Sequence, residues 1–297
     1  MNVCGIFVVD KPVGAPSQAA ITQLRRTFGL KRVGHCGTLD PLASGVLPVM
    51  LGTATRVCDL LMDHEKTYTA TIRLGLTTDS QDVTGEVLSE YAGALPSFEE
   101  FRAVSEQFCG EIEQVPPMYS ALKKNGQKLV DLARKGVVID REPRKVFIRS
   151  IRAYEEGGKY KLDVCCSRGT YIRTLCADIG DKLGCGACME ALRRTSVGKF
   201  DLSQAVSLEE LRSMTAEQAL AHLLPVDEVF SELPELRLPA FFEKLFRNGE
   251  RISLKKIGVH AEPGQKFRLY GEGGFYAIGE VGLQDGEAKL CHGILFC

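Results

Sequence analysis

Asp40 has the clearest setting for chemistry in this sequence. It lies in the run GHCGTLDPLASGVLPVMLGTATR, residues 34–56, and Pro41 follows it at once. An Asp-Pro pair disfavours helix at the Asp and starts a turn. Gly34, Gly37, Gly45 and Gly52 permit turns, or close approach of a ligand, that side chains would block. His35 stands five residues before the acid, and the apolar residues 46–51 follow it. A carboxylate on a loop anchored by a buried strand can act as a nucleophile or a base. The same dipeptide is ordinarily a plain turn, so this setting defines a candidate and not a reaction.

Further blocks extend the pattern. They are GIFVVDKPVGAPS (5–17), KTY (66–68), QVPPMYSALKKNGQKLVDLARKG (114–136) and CSRGTYIRTLCADIGDKLGCGACMEALRRTSVGKF (166–200). Together with the Asp40 run, these blocks resemble, in order, those of the TruB family, the tRNA pseudouridine-55 synthases. The resemblance spans residues 5–200. It departs from the family pattern at Val130 and Asp131, where an aromatic and a glutamate are expected, and at Cys36, where threonine is common.

Composition agrees with a globular chain. The 297 residues suffice for one large domain or two ordinary ones, with 44% hydrophobic and 25% charged residues. No apolar run approaches the roughly 20 residues that span a bilayer. The N-terminal apolar stretch is too short, and lacks the basic flank, for a signal peptide. A cytoplasmic location and no membrane association are expected. The eleven cysteines are odd in number and irregular in spacing. Free thiols are therefore expected, and the lone Cys185/Cys188 pair is a weak metal signal without a second pair.

The net charge of −1 hides a segregation. Residues 11–35 carry five Lys or Arg and no acid, and residues 123–145 carry eight bases against three acids. Residues 79–114 carry nine acids against one Arg, and 201–235 carry eight against one. Such segregation builds a basic face on a near-neutral protein and favours a polyanionic partner; it also describes solvated faces.

The elements that must position Asp40 can be read from periodicity and caps. Residues 5–9 read as a strand. Ser17 reads as the N-cap of an amphipathic helix to residue 28, closed by Gly29. Residues 66–74 alternate as a half-buried strand. Ser97 and Glu100 form a capping box for a helix over 97–109. Residues 146–151 and 160–166 read as paired strands around Glu156-Gly157-Gly158, and 170–183 as a helix closing at Gly184. Irregular mixing of strand and helix predicts an α+β fold. The resemblance implies a pseudouridine synthase core with a mixed, largely antiparallel sheet and a central cleft. Beyond residues 230–237 the chain reads as short strands, and FRNGERI and FYAIGEV loosely resemble a PUA domain. The expected division is 1–232 catalytic, with an RNA-clamping insertion at 117–145, and 233–297 a small β-rich PUA-like domain.

The resemblance also assigns roles. Asp40, Tyr68 and Arg173 match the family's catalytic residues. His35, Tyr68, Tyr171, Leu192 and Lys11 match residues at the substrate: His35 against the displaced nucleotide, Tyr171 and Leu192 around the uracil, and Lys11 as a structural or phosphate contact. A guanidinium beside Asp40 would hold it ionised and oriented. Isomerisation of uridine to pseudouridine needs no redox change or energy input, so no cofactor and no metal are expected. The expected partner is the tRNA T-arm stem-loop, bound by a monomer without an obligatory protein partner. Two alternatives remain at this stage: a guide-RNA-dependent synthase subunit, and a tRNA-binding or folding protein without catalysis.

Overall fold

The computed structural model describes residues 3–62, 64–284 and 286–296. Strand β1 (Gly5–Lys11) leads into helix α1 (Ser17–Phe28), then β2 (Val33–His35), β3 (Ala43–Leu51) and β4 (Lys66–Leu74). Helix α2 (Phe98–Glu106) precedes β5 (Gly110–Gln114) and the long hairpin of β6 (Arg144–Glu156) and β7 (Lys159–Cys166). Helix α3 (Ile172–Lys182) follows, then β8 (Ala187–Val197), β9 (Phe200–Asp201) and β10 (Val206–Ser207). These ten strands form one sheet in the order β10-β1-β3-β8-β4-β7-β6-β5, with β2 attached to β3 and β9 to β8. Pairing is parallel at β1/β10 and β3/β8 and antiparallel at the other ladders.

The central strands are apolar on both faces because both faces are covered. Phe7, Val9, Leu47, Val49 and Leu51 point to one core, which α1 and α3 close with Leu24, Leu175 and Ile179. Their strand neighbours Ile6, Val8, Val46 and Met50 point to a second core with Val226, Phe230, Ile278 and Phe296. The period of two is thus present in β1 and β3, but each half has its own apolar partner.

A second sheet, β11 (Glu235–Arg237), β12 (Ile252–Ser253), β13 (Lys266–Gly271), β14 (Gly274–Gln284) and β15 (Glu287–Leu295), has the order β11-β13-β14-β15-β12. It packs on the first through Ile278 and Phe296 in the shared core. Thr53 and Arg56 also donate to the carbonyls of Phe296 (2.5 Å) and Leu295 (2.5 Å).

Most local signals give the elements they announce. Ser97 caps α2 with Glu100 in a capping box, and Gly157 and Gly158 take the positive φ of the β6–β7 turn. One cap differs. Pro16 is the N-cap of α1, and Ser17, its first residue, is buried. The Ser17 hydroxyl accepts from Leu39 N–H and donates to Leu39 C=O, both at 2.9 Å. A tertiary partner has replaced the local one, and it ties α1 to the Asp40 loop.

The edge of β3 is divided. One side pairs with β1 over Gly45–Leu51. On the other side β8 takes Ala43–Gly45 and β2 takes Val49–Leu51. Val46 and Pro48 face the fork between them: Arg194 Nε donates to Val46 C=O at 2.7 Å and Cys36 N–H to Pro48 C=O at 3.0 Å. Pro48 is tolerated inside the sheet because its missing N–H falls on this open side. The chain can approach so closely only at Gly45, whose φ is 105° and whose added Cβ would lie 2.1 Å from Arg194 O. Gly45→Ala is therefore expected to destabilise the fold by at least ~2 kcal/mol, through strain at positive φ and the forced separation of β3 from β8. Denaturant midpoints at constant m-value would measure it; a neutral substitution would disprove the close contact.

Candidate active site

Residues 36–42 form a loop between β2 and β3, and Asp40 stands on it with its carboxyl about two-fifths exposed. The loop is braced from outside. Besides Ser17 at Leu39, Gly14 N–H donates to Pro41 C=O at 2.7 Å, and Ala43 N–H closes the turn on Asp40 C=O at 3.0 Å. Asp40 Oδ2 meets Arg173 Nε at 3.0 Å. Arg173 is buried in the first turn of α3. Its Nη1 donates to Ser80 C=O at 2.9 Å and its Nη2 to Tyr119 C=O at 2.7 Å. A planar fork of donors suits this geometry, in which one edge serves the carboxylate and the far nitrogens serve two carbonyls.

Asp82 gave no signal in the sequence, since it lies in the acidic run 79–114. It is buried, and its Oδ2 stands 3.9 Å from Arg173 Nη1. Its Oδ1 accepts from Ser80 Oγ (2.9 Å) and from Thr84 N–H (2.9 Å) and Oγ1 (2.5 Å). A buried carboxylate needs such partners, and with them it braces the guanidinium from behind. Ser80, Asp82 and Tyr119 thus become site residues only through their contacts with Arg173.

On one side of the Asp40–Arg173 pair lies a cavity of about 330 Å³, lined by Tyr68, Tyr171, Leu192, Lys66 and Arg194 among others. On the other side a cleft of about 570 Å³ is lined by Asp79, Ser80, Asp82, Tyr119 and Arg134. Both sizes suit ligand clefts. The first has the more apolar walls near the carboxylate, from Leu192 and the Tyr68 ring. Tyr68 of β4 and Leu192 of β8 are both mostly buried, and burial pushes the Tyr68 phenol up. Tyr171 is the N-cap of α3, held by Gln114, which accepts from its N–H at 3.0 Å and donates to its C=O at 3.2 Å.

Two of the anticipated substrate residues stand apart from this cavity. His35 of β2 is half-buried and is not among the residues lining it; its Nδ1 is buried without a partner, and burial, helped by Arg194, pulls its pKa down. It therefore faces neighbours as a neutral ring. Lys11, which the resemblance gives as a structural or phosphate contact, is enclosed by backbone. It is 0% exposed, and its Nζ donates to the carbonyls of Ala15 (2.6 Å), Pro12 (2.9 Å) and Pro41 (3.5 Å). Its ammonium braces the backbone around the Asp40 loop. The remaining expected residues, Asp40, Tyr68, Arg173, Tyr171 and Leu192, line one cavity.

The chain matches two family models, the N-terminal domain of the TruB family pseudouridylate synthases over residues 25–172 and the tRNA pseudouridylate synthase B C-terminal domain over 173–231. A protein of Ralstonia nicotianae named tRNA pseudouridine synthase B is 43% identical over 97% of this chain and 93% of its own length. One of Clostridium perfringens with the same name is 40% identical, covering 92% of each chain. Among solved structures, that of a Cbf5-Nop10-Gar1 complex superposes with a TM-score of 0.73 at 26% identity, covering 99% of this chain and 85% of the other. The fold is that of a pseudouridine synthase. The chain belongs to the TruB family.

Lys11 offers a test of the loop's bracing. Burial lowers its pKa to about 8, against about 10.4 in an unfolded chain. Between these values the unfolded state binds more protons, so stability rises with pH through this window. Relative to Lys11→Met, the wild type is expected to gain stability between about pH 8 and pH 10.4. Urea midpoints for both proteins across that range would check it; parallel profiles would show an ordinary solvated lysine.

Proposed function

We propose that this chain isomerises the T-loop uridine of tRNA, position 55, to pseudouridine, with Asp40 as the group that drives the rearrangement. The single observation that carries this is a carboxylate at the mouth of a half-apolar cavity, held at 3.0 Å by a buried arginine that two backbone carbonyls anchor. The relatives over 40% identical along nearly the whole chain are named tRNA pseudouridine synthase B.

The chemistry follows from the reaction's balance. The C1′–N1 bond breaks with its electron pair on the uracil. The base turns within its cavity, C5 joins C1′, the C5 proton leaves, and N1 takes up a proton in its place. Asp40 acts at the sugar, as nucleophile or as base. Arg173 fixes its orientation before substrate arrives, so no reorganisation is needed during reaction. Leu192 and Tyr171 bound the uracil, and Tyr68 stacks on it and relays the C5 proton. The uridine must leave its stack to reach Asp40, and His35 stands one strand away as the group against the displaced nucleotide.

The basic face supports an RNA ligand. Arg25, Arg26, Lys31 and Arg32 are exposed beside the Asp40 loop's entry strand, and Lys123, Lys124, Lys128 and Lys135 are exposed on the 117–145 insertion. Phosphate contacts from these would make binding fall steeply with salt. In this reading residues 1–232 are catalytic, with 117–145 closing on the stem-loop, and 233–297 form the PUA-like RNA-binding domain. The enzyme acts as a cytoplasmic monomer on the T-arm alone. No described helix is long and apolar enough to cross a membrane.

The test is a single-turnover assay on a minimal T-arm stem-loop with tritium at C5 of its target uridine. Wild type is expected to release tritium without a guide RNA or partner protein. Asp40→Asn should bind the RNA and release none, and Asp82→Asn should lower the rate by about 10-fold or more through loss of the brace behind Arg173. Tight binding without release by wild type would point to the guide-dependent or non-catalytic alternatives. Equal release by Asp40→Asn would remove Asp40 from the mechanism.

A further inference from the structure

Arg194 is the largest fully buried side chain in the protein, 1% exposed, and the chemistry above makes no use of it. Among the described residues no carboxylate lies within ion-pair distance of its guanidinium. A buried charge without a countercharge is costly. Backbone dipoles meet part of the cost: Nε donates to Val46 C=O at 2.7 Å and Nη2 to Gly37 C=O at 3.1 Å, filling the fork where β3 leaves β8 for β2. The remaining edge turns to the Tyr68 phenol and to the cavity that Arg194 lines with Tyr68, Leu192 and Asp40. An added Cβ on Gly37 would stand 3.4 Å from Nη1, so the glycine leaves this edge uncovered.

We infer that Arg194 is the countercharge for the uracil as it detaches, its free guanidinium edge stabilising the anion that the base becomes. The inference rests on the pseudouridine synthase reading and adds a catalytic residue to it. When C1′–N1 breaks, both electrons leave on N1 and spread to O2 and O4. This holds whether Asp40 forms a bond to C1′ or removes a proton from the neighbouring sugar carbon. Either route places a planar anion in the cavity, and a planar donor edge in a largely buried site is suited to stabilise it. Arg173 is engaged elsewhere at each of its three nitrogens, with Asp40, Ser80 and Tyr119. The same placement orders the two charges: the carboxylate faces the sugar and the guanidinium faces the base. Arg194 also opposes the upward push of burial on the Tyr68 phenol.

The test varies the leaving group. Stem-loops carry either uridine or 5-fluorouridine at the target; fluorine makes the departing base the more stable anion. Single-turnover cleavage of C1′–N1 is followed by nuclease digestion for wild type, Arg194→Met and Arg194→Lys. The methionine variant is expected to lose about 100-fold on uridine and about 10-fold less than that on 5-fluorouridine, with RNA affinity kept and part of the rate restored by lysine. An equal loss on both substrates would make Arg194 a structural plug and overturn the inference. Should Arg194→Met fail to fold, wild type decides. With a stem-loop abasic at the target, the affinity for free 5-fluorouracil is expected to rise about 10-fold as pH carries that base through its ionisation; a flat or falling affinity would overturn the inference. Failure of wild type to convert uridine would count against the proposed function instead, and the free-base titration would still read the cation.

Discussion

Arg173 is buried, so its guanidinium depends on partners in the protein. Its partners come from three separate stretches of chain: Asp40 on the loop before β3, Ser80 and Asp82 in the turn after β4, and Tyr119 in the insertion. One guanidinium therefore sets where three loops meet. It can do so because α3 starts at the edge of the sheet and delivers its second residue, already helical, into the gap. The two family models divide between Ile172 and Arg173, yet the ion pair at the heart of the site joins one to the other.

The second constraint is the crowding around β3. That strand is buried along its whole length and paired on both edges, one of them shared between β8 and β2. The fork in that shared edge releases the Asp40 loop from the sheet at a fixed angle. It also creates the place for Arg194, which completes the hydrogen bonding that the strands leave open. The arrangement that exposes the Asp40 carboxylate to the cavity thus buries the Arg194 guanidinium beside it. Lys11 and Ser17 complete the loop's support from the far side, through the carbonyls of Pro41 and Leu39. The loop is rigid because buried donors need acceptors, and its backbone supplies them.

The opposite face of β1 and β3 explains the second sheet. Ile6, Val8, Val46 and Met50 would be exposed without a cover, and the chain supplies it with Val226, Phe230, Ile278 and Phe296. The terminal sheet is held to the same strands that carry the active loop, and hydrogen bonds from Thr53 and Arg56 to the last strand fix its seat. Any RNA held by that sheet would be positioned relative to Asp40 through one continuous apolar layer.

Local signals in the sequence determined the elements that depend on near neighbours. The alternation of 66–74, the Ser97–Glu100 box and the Gly157-Gly158 turn each act within a few residues, and each formed as read. The family blocks named Asp40, Tyr68, Arg173, Tyr171 and Leu192, and the structure brings these together at one cavity. Tertiary structure alone decided the rest. Ser17 has the type and position of a cap, but Leu39 competed for its hydroxyl and won. Lys11 is a lysine like those that meet phosphate, but three carbonyls enclose it. Asp82 sits in a segment that reads as an acidic run, and Arg194 in a family block that assigns it no role. Their roles arise from what lies beside them across 90 residues or more. A residue's type fixes the charge or donor it can offer; which group it is offered to depends on distances that exist only once the strands have paired.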